Sequence, residues 1–288
     1  MSFFTDYEKH VSEREKEGVP PLALNAKQTS EICELMRLAG NSSGDEKAQN
    51  ELKFLINLLA NRVNPGVDDA AKIKAEFLGE VIEGLKIDGL DAVRAIKILG
   101  KMLGGYNVEI LVRALKNSDE TIAQAAANEL KNIILVHEHF DEIANLANSN
   151  KFAKEVLLSW ANAEWFALKK PLSECIKAVV FKVPGETNTD DLSPASEAYT
   201  RADIPLHAKA MLVKKMPEGL EVLKELKSRG KSVAYVGDVV GTGSSRKSGI
   251  NSIQWHLGDE IEGVPNKKTG GIVIGTTIAP IFFNTAED

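Results

Sequence analysis

Apolar residues return every three or four positions through most of residues 52–165 and lose that period near residue 168, which divides the chain into two kinds of sequence. The pattern is clearest over residues 67–85. Asp68 and Asp69 stand where a cap and the positive end of a helix dipole favour carboxylates, and Ile73, Phe77, Leu78, Val81, Ile82 and Leu85 form one stripe behind them. Similar stripes run through residues 52–59, 92–103, 108–115, 122–136 and 152–165. The breaks between them are short: Asn64-Pro65-Gly66, Gly104-Gly105, Asn117-Ser118-Asp119 and Asn148-Ser149-Asn150. Amphipathic helices joined this way stack as antiparallel pairs in an irregular solenoid. No exact internal repeat is present, so a plain helical bundle fits the same pattern.

Lys169-Lys170-Pro171 ends the helical period. The β-branched run Ile176-Lys177-Ala178-Val179-Val180-Phe181-Lys182-Val183 then reads as a strand, residues 220–226 as a helix, and residues 232–236 and 271–274 as short strands. Strand, glycine turn and helix in alternation predict an α/β domain. The expected organisation is a helical domain over residues 1–168 and an α/β domain over residues 169–288.

Charge follows the same division. Residues 1–168 hold 19 basic and 26 acidic side chains, net −7, whereas residues 169–288 hold 16 and 15, net +1. An acidic front half disfavours sequence-independent binding to a phosphate backbone, which clustered cations drive. The opening 16 residues carry Asp6, Glu8, Glu13 and Glu15 and no apolar core of a secretory signal, and no apolar run approaches the ~18 residues that cross a bilayer. The expectation is a cytoplasmic protein with no membrane segment.

Cys33 and Cys175 are too few for a disulfide framework or a four-thiolate metal site and read as two buried small hydrophobes. His137 and His139, two positions apart on a helix, point to different sides and do not grip one ion. Trp160, Trp165 and Phe166 read as packing that fixes one domain on the other.

The chemistry concentrates in Ala234-Tyr235-Val236-Gly237-Asp238-Val239-Val240-Gly241-Thr242-Gly243-Ser244-Ser245-Arg246-Lys247-Ser248, a strand that runs into glycines with a helix from about Ser245. The glycines let backbone pass close to a ligand, and the helix start suits an anion. Arg246 falls in the first turn, where a cation is unfavourable. A clamp on a carboxylate or phosphate explains that placement, while Lys247 reads as solvated. Residues 241–248 match a phosphate-binding P-loop except that Arg246 takes the place of the glycine before the lysine. Arg246 also replaces the last glycine of a dinucleotide fingerprint. Both nucleotide readings are therefore weak.

Gly243-Ser244-Ser245-Arg246 resembles the Gly-Ser-Ser-Arg signature of the swivel domain of aconitases and isopropylmalate isomerases. Gly185-Glu186-Thr187-Asn188-Thr189-Asp190-Asp191-Leu192-Ser193-Pro194-Ala195 resembles the loop that opens that domain, and Arg201-Ala202-Asp203-Ile204-Pro205-Leu206-His207-Ala208 and Pro280-Ile281-Phe282-Phe283-Asn284-Thr285 are similar to further parts of it. Most swivel domains continue with Glu-His after the arginine. Arg246-Lys247-Ser248 resembles instead the bacterial aconitase B branch, which sets a helical HEAT-like domain before the swivel. The resemblance covers essentially the whole chain and implies a multi-domain α + α/β protein, a HEAT-like solenoid followed by an α/β swivel domain.

By that resemblance the activity is aconitate hydration and dehydration: citrate to cis-aconitate to isocitrate, a hydro-lyase step of the tricarboxylic acid cycle, with 2-methylisocitrate dehydration open as a further activity. Ser244 is implied as the catalytic base, an alkoxide stabilised by nearby N–H groups and cations, and Arg201, Ser244, Ser245 and Arg246 as substrate-binding residues. The [4Fe-4S] cluster that serves as Lewis acid is expected outside this chain, since Cys33 and Cys175 match none of the family's ligand motifs, and no metal site is expected within it. The chain is therefore expected to be a fragment or one piece of a split enzyme, inactive alone, working with C-terminal cluster-binding domains. The family also implies a homodimer through the helical domain and messenger RNA binding in the cluster-free form. Two alternatives remain: a regulatory RNA-binding or dimerisation module of the same protein, and the small subunit of an isopropylmalate-type isomerase.

Overall fold

The computed structural model describes residues 2–40, 46–168 and 171–287, so Lys169 and Lys170 of the expected break lie outside the described residues. The chain forms two compact units. The first comprises residues 1–3, 23–172 and 262–265, and the second residues 4–22, 173–261 and 266–288.

The helical unit contains α2 (Ala26–Ala39), α3 (Glu46–Asn61), α4 (Asp69–Ile82), α5 (Ala92–Leu99), α6 (Val108–Leu115), α7 (Glu120–Leu130), α8 (Phe140–Leu146), α9 (Lys151–Ala161) and α10 (Glu164–Ala167). Polar side chains start these helices by accepting orphan N–H groups of the first turn: Asn25 for α2, Asp68 for α4, Asp91 for α5, Asp119 for α7 and Asn150 for α9. Neighbours pack in succession, α2 on α3 and α4, α4 on α5 and α6, α6 on α7, and α7 on α5 and α9. Their apolar stripes bury Ile32, Met36, Ile56, Leu59, Phe77, Leu78, Ile96, Leu99, Leu111, Leu115 and Leu130.

Two helices stop earlier than their stripes suggest, each where another group takes a freed carbonyl, and a third stripe is broken by the backbone itself. α5 ends at Leu99 rather than near 103, because the buried Asn107 amide donates to Leu99 O at 2.8 Å and Met102 O at 3.2 Å. α7 ends at Leu130 rather than Val136, where the Trp160 indole donates to Leu130 O at 3.1 Å. The stripe over 152–165 breaks at Ala163, whose φ of 50° is left-handed. Trp160 stacks on Phe140 with ring centroids 6.3 Å apart, so its indole serves packing inside the helical unit. Trp165 and Phe166 face each other, and Phe166 is 62% exposed. His137–His139 is a single 3₁₀ turn, in which His139 Nδ1 meets Glu142 at 3.2 Å. Cys33 is buried as expected, but Cys175 is exposed, in the irregular approach to the first strand.

The second unit holds α1 (Phe3–Lys16, from residue 4), β1 (Ala178–Asn188), α11 (Thr189–Leu192), α12 (Ile204–Ala208), α13 (Gly219–Ser228), β2 (Ser232–Thr242), α14 (Arg246–Leu257), β3 (Asp259–Ile261), β4 (Val264–Thr269), β5 (Ile272–Ile278) and α15 (Pro280–Glu287), with β4 beginning in residues grouped with the other unit. β1, β2 and β5 form a parallel sheet in that order, with Phe181 opposite Tyr235 and Tyr235 opposite Val273. These residues share one face with Val179, Val183 and Val233. On it pack Leu220, Leu223 and Leu226 of α13, Ile250 and Ile253 of α14 and Phe282 of α15. β1 runs through an irregularity between Val183 and Glu186, where Pro184 has no N–H to donate. β2 runs on to Thr242 rather than ending near 236. The strand thereby delivers the glycine turn directly to the head of α14.

Candidate active site

The turn after β2 is built around two positions that only glycine fills. Gly241 has φ +84° and Gly243 φ +103°. A Cβ at Gly241 would land 2.1 Å from Cγ of Phe282, and one at Gly243 would land 2.5 Å from Oγ1 of Thr189. The turn is thus pressed between α15 and the first residue of α11. Thr189 also accepts the Ser245 N–H at 3.1 Å, and α14 closes over α11 with Gly249 against Leu192. Behind this contact, Asn188 caps α11 by accepting from Asp190 and Asp191, and the buried Tyr235 hydroxyl donates to Thr187 Oγ1 at 3.0 Å.

Ser245 is the N-cap residue of α14, yet its hydroxyl makes no capping bond. Ser245 Oγ instead accepts from Nη2 of Arg201 at 3.0 Å, across 44 residues of sequence. Arg201 Nη2 also reaches Ser193 O at 3.4 Å. The first turn of α14 is therefore left without a side-chain cap, with the Arg201 guanidinium reaching it and Arg246 as its first residue, both side chains half-buried. The Nε of each is buried and has no hydrogen-bond partner among the described residues. A buried cationic donor without an acceptor is costly, and a carboxylate ligand would relieve it. Ser244 is exposed at the apex of the turn, and Lys247 is exposed as expected.

The structure brings Arg201, Ser245 and Arg246 to one helix end and leaves Ser244 open to solvent beside them. It also disfavours the P-loop reading. In a P-loop successive amides face the phosphates, whereas here Ser245 N donates to Thr189 Oγ1 and Arg246 N donates to Ser244 O at 2.9 Å.

The loop that carries Arg201 is held by a buried imidazole. His207 is 2% exposed and lies between Ser193 Oγ and Thr200 Oγ1, each 2.8 Å from a ring nitrogen. Thr200 donates its only hydroxyl proton to Glu197 O, so it accepts from His207 Nδ1–H, and Nε2 accepts from Ser193. Burial first, and the Arg201 charge second, push the His207 pKa below its ordinary value, which keeps the ring neutral. Thr189, Ser193 and His207 lie inside the loops quoted from the sequence, but only contact geometry gives them these roles.

A [4Fe-4S] cluster needs thiolates converging on one point. Cys33 lies in the helical unit, where burial pushes its thiol up to about 12, and Cys175 lies in the other unit. No three His, Cys, Asp or Glu residues among those described stand together as metal ligands. The described residues do not fit such a cluster. No described helix is long and apolar enough to cross a membrane.

Two family models match consecutive parts of the chain: "Aconitate B N-terminal domain" over residues 6–166 and "Aconitate hydratase 2 N-terminus" over residues 178–288. Among curated proteins, an "Aconitate hydratase B" of Helicobacter pylori is 54% identical over 287 residues, covering 99% of this chain and 33% of that protein. One of Synechocystis sp. is 53% identical over 283 residues, covering 98% and 32%. One of Escherichia coli is 47% identical over 296 residues, covering 98% and 33%. The chain spans about a third of the length of the curated relatives it matches.

Proposed function

The chain belongs to the aconitate hydratase B family, and on that premise we propose that it provides the proton-abstracting and carboxylate-binding side of a hydratase acting on citrate, cis-aconitate and isocitrate. The observation that carries the reading is the Arg201–Ser245 bond at the uncapped head of α14, with Arg246 beside it. A tricarboxylate has three anionic groups to orient, and two guanidinium forks at one helix N-terminus suit two of them. The Ser245 hydroxyl and the Lys247 and Ser248 amides of the first turn supply further donors.

Ser244 takes the proton from the carbon next to a carboxylate. A serine hydroxyl is far too weak an acid to do so unaided. The α14 dipole and the Arg246 cation stabilise its oxyanion and the charge that develops on the substrate. Loss of hydroxyl from the neighbouring carbon, and its return, is the half of the reaction for which these residues provide no group. The iron–sulfur chemistry of the family is accordingly assigned to residues other than these. On the same reading the helical unit carries contacts between two copies, and the net −7 of residues 1–168 makes messenger RNA the weaker partner. The working compartment is proposed to be the cytoplasm.

Titration calorimetry with tricarballylate, a tricarboxylate without the hydroxyl, tests the site without turnover. The 288-residue chain is expected to bind it saturably, with affinity about tenfold lower in Arg201→Gln and in Arg246→Gln. Equal binding by wild type and both variants overturns the assignment.

A further inference from the structure

The segment that carries Arg201 is fastened from a second side, by the N-terminal helix. Arg14 sits near the end of α1 and is only 7% exposed. Its guanidinium grips Asp203 in two-point fashion, Nη1 to Oδ2 at 2.7 Å and Nη2 to Oδ1 at 3.0 Å. Two further donors also have acceptors: Nε donates to Pro20 O at 2.9 Å, and Nη1 reaches Glu17 Oε2 at 3.3 Å. Asp203 in turn shapes the turn from Arg201 into α12, its N–H donating to Thr200 O at 2.8 Å and its carbonyl accepting from His207 N at 2.9 Å. A second tether runs alongside, where Lys209 Nζ donates to Glu17 O at 2.6 Å.

We propose that Arg14 is a positioning residue for the carboxylate site: through Asp203 it fixes the backbone that aims Arg201 at the head of α14. Arg201 lies two residues before Asp203, between two anchors. His207 holds Ser193 and Thr200 on one side, and Arg14 holds Asp203 on the other. The bond from Arg201 to Ser245 is single and only half-buried, so it does not by itself fix a long side chain with several rotatable bonds. Arg14 does not touch the ligand. A geometric role explains why a buried arginine 189 positions away in sequence is aimed, with a two-point grip, at the residue that follows Arg201 by two.

The proposal rests on the function proposed above, and its test keeps the two apart. Tricarballylate binding is measured for the 288-residue chain and its Arg14→Gln, Arg14→Lys, Asp203→Ala and Arg201→Gln variants, with amide hydrogen exchange on each. Arg14→Gln is expected to weaken binding at least about tenfold. Faster exchange should be confined to residues 198–207, while α4 to α7 keep their protection. Arg14→Lys, which keeps the charge but not the two-point grip, is expected to fall between wild type and Arg14→Gln. Should Arg14→Gln fail to fold, Asp203→Ala carries the comparison, because Arg14 then keeps its bonds to Pro20 and Glu17. Weakened binding in Arg201→Gln with unchanged binding in Arg14→Gln and Asp203→Ala overturns this proposal alone. No binding by wild type, or unchanged binding in Arg201→Gln, overturns the site and this proposal together.

Discussion

Ser245, the residue that stands at the N-cap of α14, accepts from Arg201 Nη2 at 3.0 Å instead of capping its own helix. The local rule for a serine at a helix start is broken, and the hydroxyl joins a loop more than forty residues upstream to the glycine turn. The helix end is left with uncapped amides, two cations and an exposed hydroxyl at Ser244, an arrangement suited to an anion with several carboxylates.

Ser245→Ala separates the two uses of that hydroxyl. An N-cap serine replaced by alanine ordinarily costs about 1 kcal/mol. Here the capping bond is absent, so the urea midpoint should fall by less than that, about 0.5 kcal/mol or below. Tricarboxylate affinity is expected to drop severalfold. A full capping loss with unchanged affinity would assign Ser245 to the helix rather than to Arg201.

Gly243→Ala tests the turn itself. Its φ of +103° and the 2.5 Å approach to Thr189 leave no space for a methyl group. The substitution should destabilise the chain by roughly 1–3 kcal/mol and displace Ser245 from Arg201. Gly185→Ala, at a positive φ but with open space around it, is the comparison and should cost less. Urea denaturation of the two variants checks the difference.

These residues mark how far the sequence could be read. The helical stripes, the β-branched run at 176–183 and the glycine turn were legible because periodicity and backbone freedom are local properties. The resemblance of Gly243-Ser244-Ser245-Arg246 and of the loop through Arg201 singled out the site residues. Helix ends were misjudged where a distant side chain decided them, as with Asn107 at Leu99 and Trp160 at Leu130. Cys175 was misjudged because burial depends on what packs around it. Arg14 carried no signal at all, being one basic residue in a charged amphipathic helix. Its partner Asp203 is recognisable only when the two meet in space.

Lys74 gives the helical unit a pH signature. It is fully buried in α4, where its Nζ donates to Ala60 O at 3.0 Å, and burial lowers its pKa from 10.5 to about 8. A folded-state pKa below the unfolded one means that the unfolded chain binds more protons between those values, so stability rises with pH between about 8 and 10.5. The rise attributable to Lys74 is on the order of 3 kcal/mol. Lys74→Met should flatten the urea midpoint over that window, and a slope that persists unchanged would show that Lys74 is not its source.

His207 acts at the other end of the scale. Its pKa lies below the ordinary 6.5 because burial, then Arg201, disfavours the imidazolium. Its contribution is therefore complete above pH 6.5 and lost as pH falls through the folded-state value. Tricarboxylate binding should weaken over the same fall, since a charged His207 no longer accepts from Ser193. His207→Gln should remove that part of the pH dependence, and calorimetry across the acid range compares the two.

Ser244 is proposed as the group that removes the proton. Its most direct test is the turnover of Ser244→Ala in a full-length aconitate hydratase B carrying these 288 residues, with substrate affinity measured alongside. A fall in kcat of about a thousandfold is expected, within the usual range for loss of a general base, with KM changed little. A kcat within a few-fold of wild type would contradict it.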